Sequence, residues 1–200
     1  DNQSIYLKDK KIFKITDQDL PFKHEIDAEN AIITPGFIDC HTHPIFTSSR
    51  ANEFNLRASG HTYEQIANQG GGINSSVSSL RQKNEDDLYE LCISRMDQFL
   101  FNGTTTLEAK SGYGLSLDDE IKSLNVIKRI NQNYILDLIP TFLGAHAIPN
   151  EYKNDKEGYI DLICTEMIPK ISELKLAEFC DVFCENGYFN FEESSKILKT

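Results

Sequence analysis

The sequence predicts an α/β protein, built as the first four β/α units of a (β/α)8 barrel and preceded by strands of a small β domain. Three observations point there. From Pro35 onward, apolar or β-branched runs alternate four times with segments of helical periodicity, the signature of a parallel sheet with crossover helices. The turn after the first of these strands holds His41-Thr42-His43-Pro44, where an open doubly wound sheet usually has a glycine-rich phosphate loop. Polar groups also follow the other strands: Glu108 and Lys110, then His146, then Glu185. Side chains gathered at the C-terminal ends of parallel strands are the barrel arrangement. Such a barrel typically needs about 250 residues. The expected organisation is therefore part of a small β-sandwich-like domain over residues 1–34 and the N-terminal half of a barrel, cut near its middle, over residues 35–200.

In order, Ser4–Leu7 and Lys11–Ile15 read as strands around the turn-like Asp9-Lys10, and Glu25–Ala28 and Ala31–Ile33 as a second pair. The first barrel strand begins after Pro35-Gly36 and ends at His43, since Pro44 cannot donate to a ladder. A long connection to about Lys83 follows, with a short helix expected over Thr62–Asn68 and three glycines at 70–72; connections of this length are usually binding loops or lids. Asn84 caps a helix whose Leu88, Leu91, Cys92, Met96, Phe99 and Leu100 follow helical spacing. Thr104–Lys110 is the second strand. Ser116 caps a second helix to about Asn133, with Ile121, Leu124, Ile127 and Ile130 on its apolar side. Ile135–Leu143 is the third strand, running into Gly144-Ala145-His146. A helix over 158–174 must kink or break at Pro169. Phe179–Glu185 is the fourth strand, and Phe191–Thr200 opens a fourth helix.

A formal net charge of −11 and a pI near 4.9 argue against nucleic acid or an anionic membrane surface as partner. No run of 18 apolar residues is present to span a bilayer. The five cysteines, Cys40, Cys92, Cys164, Cys180 and Cys184, are odd in number and lack a Cys-x-x-Cys pair. Reduced thiols in a cytoplasmic protein are expected. The chain opens on Asp1 and closes inside a helical pattern, so both natural ends are expected to lie outside it.

His41 and His43 are the sharpest chemical signal. Residues two apart on a strand face the same side, so both imidazoles are offered together, as a divalent metal requires. The plain alternative is two surface histidines on an edge strand. Preceded by Pro35-Gly36-Phe37-Ile38-Asp39, the motif resembles the first barrel strand of the amidohydrolase superfamily. Further segments resemble one of its families, the imidazolonepropionases of histidine breakdown: Ser49–Phe54, Gly70–Ile73, Glu108–Leu115, Phe142–His146 and Ala177–Glu185. The run Glu108-Ala109-Lys110-Ser111-Gly112-Tyr113-Gly114 is the most discriminating.

That resemblance implies a metal-dependent hydrolase with a TIM barrel. The reaction it implies is hydrolysis of the cyclic amide 4-imidazolone-5-propanoate to N-formimidoyl-L-glutamate, using one divalent or trivalent metal ion, zinc or iron. It makes His41 and His43 metal ligands, Arg50 and Tyr113 substrate-binding residues, and His146 a substrate-binding and catalytic residue. It also suggests a homodimer. The family's remaining ligands, a histidine and an aspartate, and its catalytic glutamate belong to later strands, beyond Thr200.

These roles make chemical sense. Arg50 offers a planar fork for a carboxylate, against the alternative of a surface arginine. Tyr113, between glycines, is badly placed for a core and offers a hydroxyl; otherwise it packs over the barrel mouth. His146 polarises a carbonyl or binds metal, or merely caps its strand. Lys110 reads as solvated or ion-paired, the alternative being the carbamylated lysine of two-metal amidohydrolases. Glu108 and Glu185 are expected to support the site or form ion pairs, and His24 and His61 to lie on the surface. Competing readings are another amidohydrolase, such as a two-metal cyclic amidase or a purine aminohydrolase, and a non-catalytic half-barrel serving binding or assembly.

Overall fold

The computed structural model describes residues 3–29, 31–62, 65 and 71–200. The chain divides into two compact units, Asp1–Pro35 and Gly36–Thr200. In the first, β1 (Ser4–Lys8) and β2 (Lys11–Thr16) form an antiparallel hairpin. Its turn residues Asp9 and Lys10 both have positive φ, 52° and 62°, the handedness that suits the twist of paired strands. The Tyr6 hydroxyl accepts the Leu20 N–H at 2.9 Å and ties the following segment to β1.

The expected strand pair at 25–28 and 31–33 does not form: no strand lies there among the described residues. Local bonds win instead. The Asp27 side chain accepts the Glu29 N–H at 2.9 Å, and Ala31 N–H reaches the Ala28 carbonyl at 2.7 Å. A short acidic side chain bonded to its own backbone competes with a ladder.

The second unit holds a four-stranded parallel sheet, β3 (Phe37–Thr42), β4 (Thr104–Lys110), β5 (Asp137–Ala145) and β6 (Phe179–Val182), in sequential order. Each strand pairs with the next, without the order reversal of a doubly wound sheet. The helices between them are α1 (Ala51–Ala58), α2 (Ile73–Arg81), α3 (Glu85–Phe101), α4 (Leu117–Asn133), α5 (Lys156–Leu162) and α6 (Ile168–Glu173), with α7 (Phe191–Leu198) after β6.

Asn84 and Ser116 cap α3 and α4 through bonds from Asp87 N–H and Asp119 N–H, as the sequence suggests. A short Asn150–Tyr152 turn follows β5. The expected break at Pro169 takes a particular form. The helix loosens into a π segment over Ile163–Met167 and resumes as α6, accommodating a residue that lacks an N–H and crowds the preceding turn. The long connection after β3 contains α1 and α2, which the sequence reading missed. The helix expected at Thr62–Asn68 falls mostly outside the described residues, as does Gly70.

Strand β4 shows how the sheet divides its chemistry. Leu107 and Ala109 are fully buried in one cluster with Leu88, Cys92 and Met96 of α3, Leu124, Ile127 and Ile130 of α4, and Leu138 and Phe142 of β5. Each aliphatic side chain so buried contributes about 1.5–3 kcal/mol. Thr106, Glu108 and Lys110 alternate onto the other face. The outer strands β3 and β6 leave Phe37, Ile38 and Phe179 exposed. No helix among the described residues is long and apolar enough to cross a membrane.

Candidate active site

The polar residues converge at the C-terminal ends of the strands. His41 lies in β3 and His43 just past it, their ring centroids 5.3 Å apart. Thr42, between them, is buried and donates its hydroxyl to the Glu108 carbonyl, fastening the strand end to β4. Arg95 of α3 donates to the Pro44 carbonyl at 3.2 Å, holding the chain where it leaves the sheet. Burial, foremost, and the neighbouring His146 and His41 bring the His43 pKa down to about 4. The ring is therefore neutral at physiological pH, with Nδ1 buried and without a hydrogen-bond partner among the described residues.

After β4 the chain makes the tight Ser111–Leu115 loop. Gly112 has φ +103°, and a Cβ there would come within 2.8 Å of the Leu143 carbonyl oxygen and 3.0 Å of His146 Nδ1. A Cβ on Gly114 would sit 2.5 Å from the Asp119 carbonyl carbon and 2.6 Å from the Glu120 nitrogen. Both glycines are thus required by close approach, one to β5 and one to α4. Between them Tyr113 is presented to His43 and His146, with centroids 5.9 and 5.3 Å away.

His146, one residue past β5, stacks on His43 at 5.1 Å with 20° between ring planes. Its Nδ1 is 2.8 Å from the Gly112 carbonyl oxygen. A carbonyl only accepts, so Nδ1 carries the proton and Nε2 keeps the lone pair. Burial, foremost, holds this imidazole below the ordinary histidine pKa; the Gly112 bond works the other way and the Arg50 charge adds to the lowering.

Arg50 stands at the N-terminal boundary of α1, its side chain 42% exposed and 3.9 Å from Glu53. Glu53 in turn accepts the Gly72 N–H at 2.9 Å, so α1 and the start of α2 are linked. Arg50, Tyr113 and His146 line one pocket of about 280 Å³ with Ile73, Phe183 and Tyr188. A larger pocket of about 900 Å³, formed by Cys184–Phe191 with Lys153 and Lys156, shares Tyr188 and contains Glu185 but none of His41, His43, Arg50, Tyr113 and His146.

Lys110 is 4% exposed and its ammonium lies 2.9 Å from Glu108 and 2.7 Å from Asp181. Glu108 also accepts the Thr141 hydroxyl at 2.7 Å, so β4, β5 and β6 are cross-linked beneath the histidines. Burial works to lower the Lys110 pKa, and the two carboxylates outweigh it and raise it. A carbamate in this place would set a negative charge against both carboxylates. Glu185 is exposed; its carboxylate accepts the adjacent Asn186 N–H at 2.7 Å and its carbonyl the Tyr188 N–H at 3.0 Å. His24 and His61 are exposed, and all five thiols are free.

Three residues escaped the sequence reading. Asp181 completes the Lys110 network; its position two before Phe183 on an alternating strand was the available clue. Glu120 is wholly buried though it sits in an acidic helix start. Its spacing to Leu124 and Ile127 put it on the apolar stripe. Arg81 donates to the carbonyls of Gly114 (2.7 Å) and Leu115 (3.0 Å), and nothing in its local sequence signals that.

Parallel strands that deliver a histidine pair and a cation-lined pocket to their C-terminal ends define an α/β protein with an enzyme-type site. Across nearly its whole length the chain is similar to imidazolonepropionases. It is 47% identical to that of Brevibacillus brevis over 98% of the chain and 48% of the relative. It is 48% identical to that of Thermoanaerobacter pseudethanolicus over the same shares. With that of Aliivibrio fischeri the identity is 51%, over 88% of the chain and 43% of the relative. The chain spans about half the length of the curated relatives it matches. No family model matches it.

Proposed function

We propose that this chain is the N-terminal half of a metal-dependent amidohydrolase barrel that hydrolyses 4-imidazolone-5-propanoate to N-formimidoyl-L-glutamate in histidine catabolism. The observation that carries the reading is the single pocket shared by Arg50, Tyr113 and His146, with His43 stacked against His146. It is supported by the similarity to proteins named imidazolonepropionase.

His41 and His43 would hold one zinc or iron ion, since imidazole suits either. The donors fit that role: they are adjacent, one is held neutral, and its Nδ1 has no partner among the described residues. Bound there, the ion supplies an activated water at neutral pH. No group of three or more His, Cys, Asp or Glu is poised for a metal among the described residues. The remaining ligands and the general base are assigned to strands outside residues 1–200, consistent with relatives about twice as long.

In this scheme Arg50 binds the propanoate carboxylate through two parallel N–H donors. Tyr113 orients the ring through its hydroxyl, and His146 Nε2 accepts from a ring N–H. Water adds to the ring carbonyl carbon, the ring C–N bond breaks, and the departing nitrogen takes a proton. The ion-paired Lys110 favours this one-metal reading over a carbamate-bridged two-metal site. The same reading makes the protein cytoplasmic and a homodimer.

Arg50→Lys in the full-length protein tests substrate choice. Turnover of imidazolone propanoate should fall by roughly tenfold or more, while an analogue lacking the propanoate is little affected, because lysine keeps the charge and loses the fork. Equal losses on both substrates would remove Arg50 from carboxylate recognition.

A further inference from the structure

We propose that Glu120 is a positioning residue of this site: its carboxylate fixes the Ser111–Leu115 loop and, through Gly112, the tautomer of His146. The proposal rests on the functional reading above for its kinetic consequence, but not for its geometry.

Glu120 projects from the first turn of α4 and is fully buried. One carboxylate oxygen accepts the N–H groups of Gly114 at 2.9 Å and Leu115 at 2.8 Å; the other accepts that of Gly112 at 3.1 Å. The Ser111 hydroxyl joins them and accepts the Leu143 N–H at 3.0 Å, joining the loop to β5. No cation pairs with this carboxylate among the described residues. A buried acid is costly unless hydrogen bonds replace its water; here backbone N–H groups do so in part, and burial outweighs them and holds the carboxyl above its ordinary pKa.

The arrangement sets one peptide unit in particular. Glu120 holds the N–H groups of Gly112 and Gly114, which belong to the peptides on either side of the Gly112–Tyr113 unit. With both neighbours fixed, the Gly112 carbonyl is left facing His146 Nδ1 at 2.8 Å, and Tyr113 is carried to the two histidines. Arg81 grips the same loop from its carbonyls and is itself held by Glu151 at 2.7 Å. Leu115, at φ +52°, is in a left-handed conformation that a branched side chain adopts only when its surroundings enforce it. Its N–H and carbonyl are the groups that Glu120 and Arg81 hold. Glu120 does not line the pocket, so its effect passes entirely through the loop.

The test uses the full-length protein with Glu120→Gln, and Ser111→Ala as a second variant that removes the hydroxyl placed between the carboxylate and the Leu143 N–H. In Glu120→Gln, kcat/KM should fall roughly ten- to a hundredfold, the size of effect expected when reacting groups shift by about 1 Å, with bound metal unchanged. Ser111→Ala should lower kcat/KM severalfold. In parallel, 15N NMR of the histidine rings should show His146 protonated at Nδ1 in the wild type and a mixture of tautomers in Glu120→Gln. Folded variants with unchanged rate and tautomer would overturn the proposal. So would an Nε2-protonated His146 in the wild type. Should Glu120→Gln fail to fold, an unchanged Ser111→Ala overturns it equally. If the wild type fails to open the imidazolone ring while the tautomer still depends on Glu120, the assigned substrate falls and the positioning role stands.

Discussion

Each imidazole at the end of β3 and β5 is controlled by a different neighbour. His43 is kept neutral by burial and by the other two rings, and its Nδ1 finds no partner among the described residues. His146 is oriented by one backbone carbonyl. His41 and His43, with ring centroids 5.3 Å apart, are worth little as a pair without a metal to bridge them, and the metal is worth little without both. Replacing either His41 or His43 with alanine in the full-length protein should therefore remove bound metal and activity together, measurable by elemental analysis alongside the ring-opening assay. Full metal occupancy with activity retained would take that residue out of the site. The sequence put His41, His43 and His146 at strand ends and Tyr113 between glycines, whereas Arg50 was named only through the resemblance of Ser49–Phe54. Asp181 and Glu120 were not legible, because an acid beside apolar residues reads as surface until the opposing element is known.

At the scale of elements, two junctions bear the site. The first is the Ser111–Leu115 loop against α4. Gly114→Ala would push a Cβ into the backbone at Asp119 and Glu120, which cannot yield as a side chain would. A loss of about 1–3 kcal/mol is expected, readable from the denaturation midpoint, with activity falling further than stability. An alanine variant as stable and active as the wild type would show that the loop can move aside. The second junction is the Lys110 network joining β4 to β6. Lys110→Met strands Glu108 and Asp181 together, and a cost of about 3 kcal/mol is expected, the lower part of the range for broken buried pairs because Asp181 is 40% exposed.

The sign with pH follows from Asp181. Burial tends to raise its pKa, but the bonds from Lys110 and from Val182 N–H outweigh it and hold the carboxyl below its ordinary value. A depressed carboxylate stabilises the fold above the unfolded value, near 3.9, and that contribution is lost as pH falls through the lower folded value. Lys110→Met should accordingly move the acid-unfolding midpoint to higher pH. An unchanged midpoint would mean that the ion pair contributes nothing. Strand β4 and helices α3 and α4 were readable from alternation, periodicity and caps. Helix α1 was not, since its polar sequence is held by contacts such as Glu53 with Gly72; α2 was missed although Ile73, Val77 and Leu80 follow helical spacing and pack into the core. The strands expected at 25–33 failed for the opposite reason: local apolar residues were present, but Asp27 diverted the backbone into turns.

At the scale of the whole second unit, the four strands follow in sequential order and the sheet is open on both sides among the described residues. Strands β3 and β6 each have one hydrogen-bonding neighbour, and Phe37, Ile38 and Phe179 lie exposed on them. Closure in a barrel removes such edges. Residues 1–200 expressed alone are expected to bind zinc or iron weakly, to aggregate through these edges and to show no turnover, whereas the full-length protein should hold one ion per chain. A sharp unfolding transition with one tightly bound ion and appreciable turnover from residues 1–200 would show that this unit has a complete site of its own. The most direct test of the assignment is where the metal sits. X-ray diffraction from crystals of the full-length protein, collected at the zinc and iron absorption edges, should show one anomalous peak within bonding distance of His41 and His43 and beside the pocket of Arg50, Tyr113 and His146. A peak remote from both histidines, or a second one bridged by a carbamylated Lys110, would contradict it.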